Sequence, residues 1–164
     1  MNPAPPSPEP ILTRAARLLA IAGGLVLVAS ALTVTTSVTM RATGLQGVPG
    51  DFELVQMGLA LAVFAFLPLC QSRRGNIMVD TFTLWLPRGV QAAIDALWDV
   101  VLAAIGLLLA WRMALGAKGA FSSATTTMVL GMPIGWAIAG CAAMAAFLAA
   151  ISIQTAARRL RAAR

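Results

Sequence analysis

The fold is decided by the stretch from Leu18 to Met40, LLAIAGGLVLVASALTVTTSVTM, in which 23 consecutive residues carry no charge. As an α-helix rising ~1.5 Å per residue, this stretch would reach ~35 Å, enough to cross a hydrocarbon core of ~30 Å. Three further apolar runs follow it, at about residues 54–70, 90–115 and 133–155. We therefore predict four transmembrane helices, the first spanning residues 18–40.

The composition of the whole chain supports this prediction. Of its 164 residues, 59% are hydrophobic and 11% are charged, and the mean hydropathy is +0.84. A soluble domain carries about 25% charged residues, so this chain could not cover a water-exposed surface. The predicted class is an all-α integral membrane protein. Its predicted parts are a disordered proline-rich tail at 1–13, a membrane domain at 14–157 and a basic tail at 158–164.

The first span has one competing interpretation. Arg14 and Arg17 are followed by an apolar stretch and then by Ala29-Ser30-Ala31, which together resemble a signal peptide with its cleavage site. The apolar run continues past Ala31 to Met40, which favours an uncleaved span. Whether the site is ever cleaved stays open.

The basic residues predict the orientation in the membrane. Four spans place both termini on one side, and the cytoplasmic side is favoured because it would then hold nine basic residues against three outside. The net charge of +6 is therefore explained by membrane topology, which argues against binding to nucleic acid. The three outer residues are Arg41, Arg112 and Lys118. The nine inner residues are Arg14, Arg17, Arg73, Arg74, Arg88, Arg158, Arg159, Arg161 and Arg164.

The segment between the second and third spans, QSRRGNIMVDTFTLWLP at residues 71–87, is too polar to span. Gly75 and Asn76 predict a turn. Residues 77–86 place most apolar side chains on one helical arc and Asp80 on the opposite one, which predicts a short amphipathic helix lying along the membrane surface. The residues predicted to contact lipid headgroups are Arg73, Arg74, Trp85 and Arg88.

Enzymatic chemistry is not expected. The chain has no histidine, and its two cysteines, Cys70 and Cys141, lie in apolar runs without metal-binding spacing. No nucleotide-binding motif is present. We predict neither a catalytic site nor a metal or other cofactor in this chain.

The candidate polar sites lie near the ends of the spans. Glu53 opens the second span, where it could carry an ion or contact a partner, or be stabilised by the helix dipole; Gln56 lies one turn on and could bond to it. Asp51 is predicted to cap that helix and Pro133 to open the fourth. Asp95 and Asp99 share one stripe of the third span. A partner-facing or arginine-paired structural role is favoured for them over transport.

Small residues repeat every four positions at Gly131, Gly135, Ala139 and Ala143. Such a seam allows another helix to approach closely. It fits docking of a partner and packing within the chain equally well.

These residues together resemble the DctQ-type small membrane subunit of tripartite ATP-independent periplasmic (TRAP) transporters. The resemblance lies in a glutamate opening span 2 (Glu53), then RRGNIMVD at Arg73–Asp80, then Leu86-Pro87, and a proline before span 4 at Pro133. It covers about residues 15–155. Asn76 stands where the family usually has histidine.

The resemblance implies a function and partners. The small subunit would be a fixed scaffold in the bacterial inner membrane, beside a large membrane subunit that binds substrate and sodium. A periplasmic binding protein would deliver the solute, often a carboxylate. Lipids would surround the horizontal helix, which would act as a brace. Two alternatives remain: a small oligomeric carrier coupled through Glu53, Asp95 and Asp99, and a membrane protein without a transport role.

Overall fold

A computed structural model describes residues 11–73 and 87–162. They form four helices: α1 (Ile11–Ala42), α2 (Asp51–Ser72), α3 (Arg88–Ser122) and α4 (Gly135–Ala162). All four are long and apolar enough to cross a membrane, as predicted. Within the described ranges, the only β-type contact is an isolated bridge between Thr126 and Pro133.

Several predicted features lie outside the described residues. They include the horizontal helix at 77–86 and the residues Arg74, Gly75, Asn76, Asp80 and Trp85. The horizontal helix therefore remains a prediction. The cytoplasmic placement of the termini is also still a prediction.

Two helix boundaries differ from the predicted ones. The residues Gly116–Ser122 were expected to form a loop, but they continue α3, where the edge of the Phe121 ring packs on Trp136 with the ring centroids 5.3 Å apart. The fourth helix begins at Gly135 rather than at Pro133. Backbone hydrogen bonds from Thr127 N to Met132 O (2.9 Å) and from Ile134 N to Thr125 O (3.2 Å) hold the preceding residues in the loop.

The helices pack in an order that differs from their order in sequence. α1 packs on α2, α2 packs on α4, and α4 packs on α3. The two chain connections at residues 43–50 and 123–134 lie at one end of the bundle, which we call the loop end. The start of α1, the end of α2, the start of α3 and the end of α4 lie at the other, which we call the terminal end.

Small residues set how closely the helices approach. A Cβ on Gly23 of α1 would lie 2.9 Å from the Cβ of Ala65 in α2, and one on Gly106 of α3 would lie 3.3 Å from the Cβ of Ala149 in α4. Because lipid tails are as apolar as the helices, association in the bilayer depends on such close packing. Larger side chains at these positions would push the helices apart.

Candidate functional site

A charged cluster joins three helices at the terminal end; we call it the aspartate–arginine cluster. It consists of Asp95 and Asp99 on α3, Arg159 on α4 and Gln71 on α2. The Arg159 Nε lies 3.0 Å from Asp99 Oδ2, and a second Arg159 nitrogen pairs with Asp95. Gln71 Nε2 donates a hydrogen bond to Asp99 Oδ1 at 2.6 Å.

The cluster is largely closed to solvent. The side chains of Asp99 and Arg159 are only 6% and 9% exposed, whereas that of Asp95 is 35% exposed. The Asp99 Oδ2 and Arg159 Nε atoms make no hydrogen bond of good geometry among the described residues, so their attraction is that of two close charges. An unpaired ion would be very costly there, which explains why the aspartates and the arginine occur together.

Glu53 forms a second, different contact at the loop end; we call it the glutamate clamp. Its Oε1 accepts a hydrogen bond from the backbone N–H of Val129 at 2.8 Å, and its Oε2 accepts one from Leu130 at 3.0 Å. Both amides belong to the α3–α4 loop, so the start of α2 holds that loop. The loop is also closed on itself, because Met132 N donates to the Thr127 hydroxyl at 3.1 Å.

The clamp explains Glu53 in a way that the sequence did not suggest. Glu53 does lie in the first turn of α2, where a helix dipole favours a carboxylate. Both of its oxygens, however, bind loop amides rather than Gln56, which is exposed on α2. The side chain of Leu130 packs closely on Gly50, which adds an apolar contact to the clamp.

A third contact links α1 to α2 beside the clamp. Asp51 Oδ2 accepts hydrogen bonds from Ser37 Oγ at 2.5 Å and from the Arg41 guanidinium at 2.7 Å. The Ser37 hydroxyl in turn accepts the Val48 N–H at 3.2 Å. Asp51 is the first helical residue and not the cap as predicted, because Gly50, with a φ of 70°, occupies the capping position.

Other predicted residues fall in various environments. Gly131 lies in the loop with a φ of 64°, so the predicted seam cannot begin there. Gly135 is buried against Phe121, Ala139 is half-buried and Ala143 is exposed. Other small residues of α4 that meet a neighbouring helix are Gly140, Ala145 and Ala149.

Two of the four residues predicted to contact lipid headgroups, Arg73 and Arg88, are among the described residues. Arg73 is exposed at the end of α2, and Arg88 begins α3. Trp98, Trp111 and Trp136 are each more than half exposed, as side chains facing lipid would be.

Sequence reasoning missed Ser37, Arg41, Val129, Leu130 and Arg159 as functional contacts. Arg41 and Asp51 are separated only by a short loop, so their pairing could have been anticipated. Gln71 and Asp99 are 28 residues apart, and no spacing rule connects them. The clamp binds backbone amides, which every residue except proline offers, so it leaves no mark in the loop sequence.

Within residues 11–73 and 87–162, no group of three histidine, cysteine, aspartate or glutamate residues could hold a metal ion. Cys70 and Cys141 are not joined in a disulfide, and Cys141 is buried. The carboxylates of Asp51, Glu53, Asp95 and Asp99 connect helices to one another or to a loop.

Comparison with known proteins decides the family. The family model for the DctQ component of tripartite ATP-independent periplasmic transporters matches residues 30–162. The chain belongs to the DctQ family. No curated protein and no solved structure gives a significant match.

The DctQ match runs from the middle of α1 to the end of α4, so it includes both the glutamate clamp and the aspartate–arginine cluster. This membership makes the chain the small membrane subunit of a TRAP transporter, a transport component. The other parts of such a system are a large membrane subunit and a periplasmic binding protein. The predicted resemblance is thereby confirmed.

Proposed function

We propose that this DctQ subunit is a fixed scaffold for the large membrane subunit during sodium-coupled uptake of a carboxylate solute in the bacterial inner membrane. The periplasmic binding protein delivers the solute to the complex. Sodium and solute bind the large subunit, and this chain supplies a rigid wall beside it.

One observation carries the proposal: the candidate coupling carboxylates are engaged by their own chain. Glu53 accepts two loop amides, and Asp99 is paired with Arg159 and Gln71. A carrier needs acidic groups that bind and release an ion along a path. Groups fixed at opposite ends of the bundle serve to hold helices in place.

The packing supports the same proposal. Helices that touch through glycine and alanine have little room to slide, since close-packed interfaces are not continuously deformable. Large apolar side chains such as Leu25 on α1 and Leu107 on α3 are more than 60% exposed, which leaves broad faces for lipid and for a partner. The horizontal helix would brace this wall at the cytoplasmic surface.

Purification from the native host tests the scaffold. A tag at Arg164 and a mild detergent should recover one much larger multi-span protein in equal amount. Recovery of the chain alone, or as a homo-oligomer, would remove the scaffold proposal.

Proteoliposomes provide a second test. The purified small subunit should give no sodium- or proton-driven flux, whereas addition of the large subunit and the binding protein should restore carboxylate uptake. Flux through the small subunit alone, lost on Asp99→Asn, would instead support the self-contained carrier.

A further inference from the structure

Arg112 is an unexplained charge on α3. It is the only charged residue between Asp99 and Lys118, and α1, α2 and α4 carry none in their central parts. From the sequence, Arg112 is predicted to be one of the basic residues of the outer side. In the structure, α3 continues for ten residues beyond it. Its side chain is exposed, and no carboxylate of the described residues pairs with it.

The packing of α3 on α4 gives the depth of Arg112. Gly106 faces Ala145 and Ala149, Gly116 faces Ile138, and the edge of the Phe121 ring packs on Trp136. This register sets Arg112 level with about Ala142, seven residues into α4. At ~1.5 Å per residue, it lies ~10 Å from the start of α4 and ~24 Å from Arg158, so a hydrocarbon layer of ~30 Å crossed by α4 would include its Cα.

The direction of the side chain matters for what Arg112 can reach. Cα–Cβ bonds in a helix tilt towards its N-terminus, and the N-terminus of α3 is at the terminal end. The Cα–Cβ bond of Arg112 therefore tilts towards the terminal end, away from the nearer end of the bundle. Lys118 differs: by the same register it lies about level with Trp136, a residue type enriched at the membrane boundary, where water and lipid phosphate are close.

Arg112 also lies on the face of α3 that this chain leaves uncovered. The buried residues of α3, such as Asp99, Gly106 and Ala110, lie on the opposite side, against α4. The face around Arg112 is apolar and exposed. Its residues are Val101, Ile105, Leu108, Leu115 and Gly119. A Cβ added to Gly119 would meet nothing within 4 Å.

We propose that this α3 face docks a transmembrane helix of the large subunit that offers an aspartate or glutamate to Arg112. The inference rests on the proposed function. Unpaired charges at this depth are rare because they are costly, and a facing carboxylate supplies the missing partner. The open Gly119 lies seven residues, ~10 Å, from Arg112 towards the loop end, where it leaves room for the incoming helix to approach closely.

Site-specific photo-crosslinking in the assembled complex tests the docking face directly. A benzophenone side chain replacing Leu108 should yield an adduct with the large subunit, in a helix that contains an aspartate or glutamate. The same probe at Leu25 of α1 gives the reference level of adducts from another exposed apolar face. Adducts at position 108 with lipid alone, or with a helix that has no acidic residue, would overturn the proposal.

Charge reversal tests the ion pair. Arg112→Glu should lower recovery of the large subunit by roughly tenfold or more, since one charge of a buried pair would face another of the same sign. Lys118→Glu, the matched control at the membrane boundary, should leave recovery within about twofold. Replacing the crosslinked acidic residue of the large subunit by arginine should restore its recovery with Arg112→Glu. Equal recovery with Arg112→Glu and Lys118→Glu would contradict the proposed ion pair.

Failure of this inference is distinct from failure of the scaffold. If the wild-type chain recovers the large subunit while position 108 never reaches it, the scaffold stands and the α3 face is wrong. If the wild-type chain recovers no large subunit, the scaffold proposal itself fails. The crosslink uses a chain with Arg112 intact, so it remains informative even if Arg112→Glu does not insert.

Discussion

The two ends of this bundle use carboxylates in opposite ways. At the terminal end, Asp95 and Asp99 are matched by the charge of Arg159 in a largely buried setting. At the loop end, Glu53 accepts hydrogen bonds from two backbone amides in a solvent-exposed setting. The aspartate–arginine cluster depends on one particular side chain of the neighbouring α4. The glutamate clamp would tolerate almost any loop sequence. Mutations should therefore separate the two ends clearly.

The largest effect is expected at Arg159. Arg159→Leu leaves both aspartates without their counter-ion and should destabilise the protein by about 3–5 kcal/mol, the usual result of breaking a buried ion pair. Unfolding of the purified subunit in detergent would measure it. Arg158→Leu is the matched control, because Arg158 is the exposed neighbour on the same helix. Equal stabilities in the two variants would show that the cluster does not hold the helices together.

A smaller effect at the same end is expected at Gln71. Gln71→Leu removes a donor from the buried Asp99 carboxylate while Arg159 stays, and such a loss costs about 1–3 kcal/mol. Combining it with Arg159→Leu should give a change that departs from the sum, since both residues serve one carboxylate. Strict additivity, measured by the same unfolding experiment, would mean that the two contacts are independent.

At the loop end, Glu53→Gln should act locally. The amide retains one acceptor oxygen, so one of the two loop N–H groups loses its partner. Hydrogen exchange of the segment 123–134 should become faster, while that of α3 and α4 stays unchanged. Gln56→Ala, on the exposed side of the same helix, is the control. Faster exchange throughout the bundle would contradict a purely local clamp.

The smallest effect is expected at Arg41. Its side chain is 59% exposed, so its pairing with Asp51 is weakened by water and salt. Arg41→Ala should leave the unfolding midpoint nearly unchanged at physiological ionic strength, with a slight fall at low salt. A loss as large as that of Arg159→Leu would remove the distinction between the two ends.

The sequence was sufficient for some levels of this structure and insufficient for others. Uncharged runs such as Leu18–Met40 predict helices because a segment of this length in lipid can satisfy its backbone hydrogen bonds within itself only as a helix. The end of α3 at Ser122 could not be predicted, since it depends on Phe121 packing against the next helix.

The sites show the same division. An arginine partner for Asp95 and Asp99 was foreseeable from their burial in a span, but the choice of Arg159 depends on how α4 is rotated against α3. The predicted seam failed at Gly131 for a related reason: four-residue spacing identifies a face only where the helix is already formed. Glu53 was noticed, but its partners are amides that carry no sequence signal.

The aspartate–arginine cluster also sets an order of events during synthesis. Arg159 follows Asp99 by 60 positions (159 − 99), so at roughly 5–20 residues per second the ribosome makes it about 3–12 seconds later. During that interval Asp95 and Asp99 lack their counter-ion. A nascent chain interrupted in α4 would keep them exposed, which would mark it as unfinished to the proteases of the membrane.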